Sequence, residues 1–531
     1  MVDLTIRGGT IFDGTGHPGF EADLVIDGGK IVLVGDATDI EGTLTWDASG
    51  KVVSPGFIDI HSHADFTLYV DGLAQSGIRQ GITTSVTGNC GHGPAPAPDK
   101  ELAKQVTIGV NDDWGIGFDW ATFEEYLDAL FAKGQSMNVA PLVPHGTVRI
   151  AAMGYDARPA TGKELDTMRS LVDEAMAAGA VGMSSGLEYS PGRYADEAEL
   201  IALAEVVGRH GGIYATHMRE RGDNFEQAVQ EALNIGRGGG VPAQLSHLGP
   251  RPYAPTGVLD RVLATIHAAR ADGQEVGIDT FPDPWGPAHL LDLVPPWVYE
   301  GSEEEVLDRL RDPRTAEKCR DYVENQGNFL LRLSGFDKFF LSYSRAHPEL
   351  MSLSLDAISR EWDLDVVRTI LRLAAADGKD FGSVLIRHIF ATEEDLHKLL
   401  SDPVCSLGSD GAVTSTEGLL AELKMNRSSF GYAPRTIREY AMDRGLFTPE
   451  EAVRKMTSLP ADQVRLRDRG RLAEGMAADV VVMDLDNLAD LTTDDEPQAY
   501  PTGIEMVTVN GEIVFEGGQH TGRRPGQVLG H

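Results

Sequence analysis

The sequence is poor in cysteine, poor in basic residues and without any long apolar run. Its three cysteines, Cys90, Cys319 and Cys405, are spread over 531 residues, which argues against a disulfide framework and predicts a reducing cytoplasm. No apolar run is long enough to cross a bilayer. The first residues lack the basic and apolar regions of a signal peptide. We therefore expect a cytoplasmic protein with no membrane partner.

Basic residues are outnumbered by acidic ones. The chain has 46 Lys and Arg against 81 Asp and Glu, for a net charge of −35. Nonspecific binding to nucleic acid or to an anionic membrane needs a basic face, so this balance predicts no nucleic-acid partner. Solubility through net charge is the simplest interpretation. The sequence leaves a homo-oligomer open.

The pattern of predicted strands and helices changes twice along the chain, which predicts an α/β protein with a second small domain. Residues 1–55 and 470–531 contain short strands between Gly-rich turns, and we expect them to form one small β-sandwich domain built from both termini. In residues 56–469, eight apolar strands alternate with helical stretches such as about 163–178. That alternation is typical of a (β/α)8 TIM barrel.

One connection in the predicted barrel is unusually long. Asp279 ends the seventh strand and Val404 begins the eighth, far beyond the length of an ordinary βα loop. We interpret residues 284–380 as an inserted lid subdomain over the barrel mouth. The alternative is a helical decoration away from the site.

Side chains that bind metals follow several of the predicted strands. In a parallel barrel the carboxyl ends of the strands meet at one face, so these side chains are expected to lie close together. Imidazole, thiolate and carboxylate are ligands that suit zinc. The residues are His61, His63, Cys90, His217, His247 and Asp410.

Each of these residues has a plainer interpretation when taken alone. A single buried His can be a hydrogen-bonded core residue, a free Cys is usually a small buried hydrophobe, and Asp-Gly often marks a turn. The positions favour a site instead. His61 and His63 are two apart after a strand and so share one face, and Cys90 stands between glycines. Asp410 ends the last strand, where a carboxylate can accept a proton from water.

The chain resembles the amidohydrolase superfamily and, within it, the N-acyl-D-amino-acid deacylases (D-aminoacylases). The resemblance runs from end to end, through the segments 8–16, 88–91, 186–195, 214–219 and 470–479. It implies one tightly held Zn²⁺ on Cys90, His217 and His247. It also implies a weaker or empty second position near His61 and His63, with Asp410 as the catalytic base.

The residues that would bind substrate depart from the pattern of that family. Phe281-Pro282-Asp283 stands where Tyr-Pro-Tyr is usual, Gly249 where a Lys is usual, and Ala421 near the place of a basic residue that grips the substrate carboxylate. The candidate substrate-binding residues are His145, Tyr189, Arg251, Asp283 and Arg427. The family also carries a His at the place of His145, with an expected substrate or oxyanion role.

The acids Glu188 and Asp283, together with the missing basic anchor, predict an acidic barrel mouth that attracts a free substrate carboxylate weakly. The alternative is that these acids face solvent or pair with Arg193 or Arg251.

Three functions follow from these observations. The leading hypothesis is zinc-dependent deacylation of N-acyl-D-amino acids or related N-acyl small molecules. The second is hydrolysis of a cyclic amide or imide on the same scaffold. The third is a non-catalytic binding or assembly protein, against which the intact set of ligands argues.

Overall fold

A computed structural model describes residues 1–100, 114–323 and 336–530. Its centre is an eight-stranded parallel sheet in which strands adjacent in the sequence are adjacent in the sheet. This confirms the predicted barrel. Its strands are β6 (Phe57–Asp59), β7 (Ile82–Thr87), β8 (Asn138–Pro144), β9 (Gly182–Gly186), β10 (Ile213–His217), β11 (Ala243–Leu245), β12 (Val276–Thr280) and β16 (Cys405–Leu407).

The first and last barrel strands meet through loop bonds that we call the barrel seam. The N–H of Asp410 donates to the carbonyl of His61 at 2.9 Å, and the N–H of His63 donates to the carbonyl of Gly411 at 2.7 Å. The buried carboxylate of Asp59 accepts the N–H and the hydroxyl of Ser409 at 2.9 and 2.6 Å. Burial raises the pKa of Asp59 to about 6. The seam therefore fixes the loops after β6 and β16 to one another.

Helices cover the outside of the barrel. The predicted helix near 163–178 is found at Gly162–Ala177, where Thr161 and Glu164 form a capping box and Met168, Val172, Ala175 and Met176 are buried. Besides it the barrel segment contains Thr67–Val70, Gln75–Ile78, Phe123–Phe131, His145–Met153, Glu197–Arg209, Phe225–Gly239, Val258–Ala271, Glu393–Ser401, Ser428–Arg435, the π-helix Thr436–Asp443, Pro449–Met456 and Ser458–Gln463. Single 3₁₀ turns lie at Asn89–Gly91, Gly192–Tyr194 and Gly418–Leu420.

The two ends of the chain share a nine-stranded sheet with its own core. Val52–Pro55 pairs antiparallel with Val480–Met483, which joins the two halves. The strands are β1 (Val2–Ile11), β2 (Phe20–Asp27), β3 (Lys30–Gly35), β4 (Gly42–Asp47), β5 (Val52–Pro55), β17 (Val480–Met483), β18 (Ile504–Val509), β19 (Glu512–Glu516) and β20 (Gln519–His520).

The long connection between β12 and β16 folds around a separate hydrophobic cluster that includes Leu293, Val306, Ile370 and Ile386. Its antiparallel sheet runs in the order β13 (Trp285–His289), β15 (Leu385–Ile389), β14 (Phe340–Tyr343). Because β15 lies in the middle of this sheet, the unit continues beyond the predicted limit at 380. Its helices are Glu303–Arg311, Pro313–Asp321, Leu355–Glu361 and Val366–Ala376, with 3₁₀ turns at Leu290–Leu293, Pro296–Val298, Phe336–Lys338, Pro348–Leu350 and Gly378–Ser383.

Residues 525–530 run under the barrel, at the end opposite to the loops that follow the strands. The N–H of Val139 donates to the carbonyl of Gln527 at 3.0 Å, and the N–H of Leu529 donates to the carbonyl of Val139 at 2.8 Å. Leu529 is buried with Ile58, Ala140 and other residues of the barrel core. We call residues 525–530 the basal segment.

No helix in the described part of the chain is long and apolar enough to span a membrane. The cytoplasmic location stays a prediction.

We expect Leu529→Ala to lower the free energy of unfolding by about 2–4 kcal/mol, because it removes a buried side chain from the base of the barrel. Urea-induced unfolding followed by circular dichroism measures this. Leu419→Ala is the matched control: Leu419 is 57% exposed, so its loss is expected to change stability by less than about 0.5 kcal/mol. Equal midpoints for the two variants would contradict a structural role for the basal segment.

Candidate active site and metal centre

Three of the six predicted metal-site residues stand in left-handed backbone at the loop face of the barrel. The φ angles are 55° for Cys90, 32° for His247 and 45° for Asp410. Residues other than glycine seldom adopt this region, and such strain concentrates at functional sites. A Cβ on Gly186 would lie 2.0 Å from the carbonyl oxygen of Cys90, so glycine is required there to let the backbone around Cys90 pack closely.

His61, Cys90 and His247 form the first group that could hold a metal ion. The sulfur of Cys90 lies 3.3 Å from Nε2 of His61 and 3.4 Å from Nε2 of His247. All three residues are buried. Burial alone would raise the pKa of the Cys90 thiol, but the charges of His61 and His247 and hydrogen bonding from the neighbouring imidazoles together hold the pKa well below its usual range. The thiolate, which is the form that binds a metal, is therefore favoured.

His61, His63 and Asp410 form a second group that shares His61 with the first. Oδ1 of Asp410 lies 3.5 Å from Nε2 of His61 and 3.3 Å from Nε2 of His63. Burial raises the pKa of Asp410, but the hydrogen bond from His63 and the charge of His61 lower it to about 2. The carboxylate is thus ionised at neutral pH.

His217 lies beside the first group, although it is not one of its three members. Its ring centroid is 4.5 Å from that of His247, and its Nε2 is 2.6 Å from Oε2 of Glu188. Its Nδ1 is buried and makes no hydrogen bond within the described residues. A carboxylate that holds one ring nitrogen while the other is left free is a common arrangement for a metal-binding histidine.

Asp279, at the end of β12, supports the metal-binding histidines and was not singled out from the sequence. Its Oδ1 accepts the N–H of His247 at 2.7 Å and lies 3.2 Å from Nδ1 of His61. Its Oδ2 accepts the side chain of Gln244 at 2.7 Å. One carboxylate thus orients two candidate ligands. An acidic residue at the end of a barrel strand was the available signal.

A cavity opens above the two groups. Residues of the barrel loops and of the inserted unit both line it. That the inserted unit acts as a lid stays a prediction. The lining residues are His63, Cys90, Tyr189, His217, Arg221, His247, Arg251, Gly286, Pro287, Ala288, His289, Asp292, Leu385, His388, Phe390, Asp410 and Met425.

Of the candidate substrate-binding residues, Tyr189 and Arg251 line this cavity and the other three do not. Asp283 and Arg427 line a neighbouring cavity. His145 is fully buried at the start of a helix, with its Nε2 2.9 Å from Glu199. Arg221, His388 and Phe390 were missed, because their approach to the site depends on loop and insertion geometry.

The expected acidic mouth is wrong, because both acids are neutralised by buried arginines. Glu188 pairs with Arg251 at 2.9 Å, which is one of the pairings left open by the sequence. Asp283 pairs with Arg435 at 2.9 Å. Burial raises the pKa of Glu188, but the charge of Arg251 and the hydrogen bond from His217 lower it to about 2. Neither acid leaves an uncompensated negative charge at the cavity.

The model of the amidohydrolase family matches residues 44–283 and 367–515. The chain belongs to this family. The unmatched stretch between these ranges falls within the inserted unit. This amidohydrolase is a metal-dependent hydrolase that acts on amide carbon–nitrogen bonds.

Relatives that align over nearly the whole chain are deacylases of N-acyl-D-amino acids by name. The amidohydrolase is 35% identical over 530 residues to an N-acyl-D-glutamate deacylase of Alcaligenes xylosoxydans xylosoxydans, covering 99% of this chain and 96% of that one. It is 34% identical over 527 residues to a D-aminoacylase of the same organism, covering 99% and 97%.

Solved structures show the same likeness. A D-aminoacylase crystal structure superposes with a TM-score of 0.82 at 32% identity over the whole of both chains. The N-acyl-D-glutamate deacylase of Bordetella bronchiseptica, complexed with zinc and a phosphonate inhibitor that mimics the tetrahedral intermediate, also gives 0.82, at 33% identity over the whole of both chains. Hydantoinases at 14–16% identity share the fold.

We expect Asp279→Asn to weaken zinc binding by about 10–100-fold. The two carboxylate oxygens of Asp279 now serve His247, His61 and Gln244, whereas an amide offers only one acceptor oxygen and orients these residues less well. Competition with a zinc chelator measures this affinity. The matched control is Asp402→Asn, which changes a buried carboxylate bonded to His267 ahead of β16, at the other end of the barrel. Wild-type zinc affinity in Asp279→Asn would contradict the positioning role.

Proposed function

We propose that this amidohydrolase removes the acyl group from N-acyl-D-amino acids, with zinc as its metal. The observation that carries the proposal is the cluster of a thiolate, imidazoles and a carboxylate at the loop face of the barrel, beneath a cavity lined by the barrel loops and the inserted unit. Relatives named for deacylation of D-amino acids, aligned over nearly the whole chain, support this choice of substrate.

The donor set fits zinc. We propose that Cys90, His217 and His247 hold one tight ion, and that His61, His63 and Asp410 border a second, weaker position. Nδ1 of His217 is a buried nitrogen without a hydrogen bond among the described residues, as expected where an ion would satisfy it. When bound, zinc polarises water and the substrate carbonyl and supplies charge stabilisation.

Asp410 is the proposed general base. Its ionised carboxylate, next to His63, accepts one proton from the attacking water while the water oxygen bonds to the carbonyl carbon. The carboxyl group then donates this proton to the amide nitrogen as the carbon–nitrogen bond breaks. The products are a carboxylic acid and a free amine, so atoms and protons balance.

The remaining cavity residues orient the substrate and exclude water. Tyr189 packs at a tilt against His217, with ring centroids 4.5 Å apart, and the ring centroid of Phe390, next to β15, lies 6.1 Å from that of His247. These apolar faces reduce the access of bulk water to the metal group, which strengthens its electrostatic interactions.

We expect Cys90→Ser to lose zinc and activity together, with a fall in kcat/KM of about 10²-fold or more, because a hydroxyl does not replace the thiolate. Metal analysis and hydrolysis assays on the same samples measure this. Cys405→Ser is the matched control: burial raises the pKa of the Cys405 thiol, and Cys405 lies within β16 outside the site. Full zinc occupancy in Cys90→Ser would show that the assignment is wrong.

Substrate class is tested by comparing N-acetyl-D-amino acids, N-acetyl-L-amino acids and cyclic amides. We expect turnover of the D-series to dominate and Asp410→Asn to lower it by about 10²–10⁴-fold, because an amide cannot accept the proton. Zinc content and the far-ultraviolet spectrum of this variant are expected to stay close to those of the wild type. Preference for the cyclic substrates, or near-normal turnover by Asp410→Asn, would overturn the respective half of the proposal.

A further inference from the structure

Arg221 differs from the other buried arginines in the described part of the chain. Five arginines there are buried, and four of them form ion pairs: Arg149 with Glu199, Arg251 with Glu188, Arg435 with Asp283 and Arg469 with Asp479. For Arg221 no carboxylate oxygen of the described residues lies within 4.0 Å. Buried charges are normally paired, because an isolated ion in the protein interior is strongly destabilising.

The contacts of Arg221 hold it in place without neutralising it. Its NH1 donates to the carbonyl of His247 at 3.1 Å, and its guanidinium lies 4.8 Å from the ring centroid of Phe390. Its Nε is buried and has no hydrogen-bond partner among the described residues. A guanidinium is protonated at neutral pH, so the side chain carries its positive charge.

The acids of the cavity are engaged elsewhere. Glu188 contacts both Arg251 and His217, and Asp410 lies between the two histidines that follow β6. Asp292, on the inserted unit, accepts the N–H of His289. The cavity therefore offers one guanidinium that forms no ion pair among the described residues, directly beside His247.

A backbone hydrogen bond joins the loop that carries Arg221 to the loop that carries Arg251. The N–H of Arg251 donates to the carbonyl of Arg221 at 2.9 Å, so the two guanidinium-bearing loops stay together. Glu188 fixes the end of Arg251. This arrangement keeps two positive groups on the same wall of the cavity, as a recognition site for an anion requires.

We propose that Arg221 binds the free carboxylate of the substrate next to the scissile amide, with Arg251 beside it. This inference rests on the proposed function and names the group that selects its substrate. A guanidinium matches a carboxylate with two parallel hydrogen bonds, and the buried Nε is one donor for them. Arg221 would thus supply the positive charge that this chain lacks at Gly249 and near Ala421.

The test compares one substrate with and without its charge. N-acetyl-D-leucine and N-acetyl-D-leucinamide differ in the carboxylate alone. In Arg221→Gln we expect kcat/KM for the acid to fall by about 10²–10³-fold, the loss typical of removing one partner of a buried charge pair. The amide is expected to change by less than about threefold, since it makes no charge-assisted bond. Arg221→Lys is expected to recover part of the loss on the acid.

Two controls separate recognition from structure. Arg193→Gln removes an exposed guanidinium outside the cavity lining and is expected to leave both substrates unaffected. Zinc content shows whether Arg221→Gln retains the site near His247. Equal losses of kcat/KM on the acid and the amide would mean that Arg221 acts through His247 and would overturn the proposal. No loss on either substrate would overturn it as well.

A binding measurement distinguishes failure of this inference from failure of the proposed function. Calorimetry with the same two compounds is run on the wild type and on Arg221→Gln. Wild-type preference for the acid that disappears in the variant supports the anion site, even if neither compound is hydrolysed and the deacylase proposal fails. Hydrolysis of the acid by the wild type without any dependence of binding on Arg221 would overturn the anion site and leave the deacylase proposal standing.

Discussion

The barrel seam is the constraint on which the rest of the site depends. Asp59 reaches from the end of β6 to Ser409 after β16, and backbone bonds continue from His61 to Asp410 and from His63 to Gly411. The same contacts that close the barrel place two histidines and a carboxylate around one point. The same hydrogen bonds therefore close the barrel and position His61, His63 and Asp410. A distortion of the seam would displace these three side chains.

Strained backbone around the centre is held by the rigidity of the strands below it. Cys90, His247 and Asp410 adopt left-handed conformations in three separate loops, each costing on the order of 1–3 kcal/mol. The barrel core under them is fully buried. The inserted unit carries the opposite wall on its own hydrophobic cluster. The proposed metal-binding and base residues thus belong to the barrel, whereas the cavity is lined by both the barrel loops and the inserted unit.

Sequence reasoning succeeded where local pattern determines position. Short apolar runs gave all eight barrel strands, and the spacing of His61 and His63 placed both on one face, because a strand has a period of two. It failed where partners come from distant segments. Asp283 and Arg427 were expected at the substrate, but Arg435 holds Asp283 beside a second cavity. Which arginine would lack an acid could not be known before the fold brought Glu188 to Arg251 rather than to Arg221.

The shared sheet of the two chain ends has a consequence for biosynthesis. Val53 pairs with Val482, so the early strands wait for their partner while the ribosome makes the barrel, on the order of 20–80 s at about 5–20 residues per second. During that interval the edge of β5 that later pairs with β17 is open, and an open strand edge is a template for association between nascent chains. The net charge of −35 opposes such association through mutual repulsion. The excess of acidic residues thus opposes aggregation of the chain while it is still being synthesised.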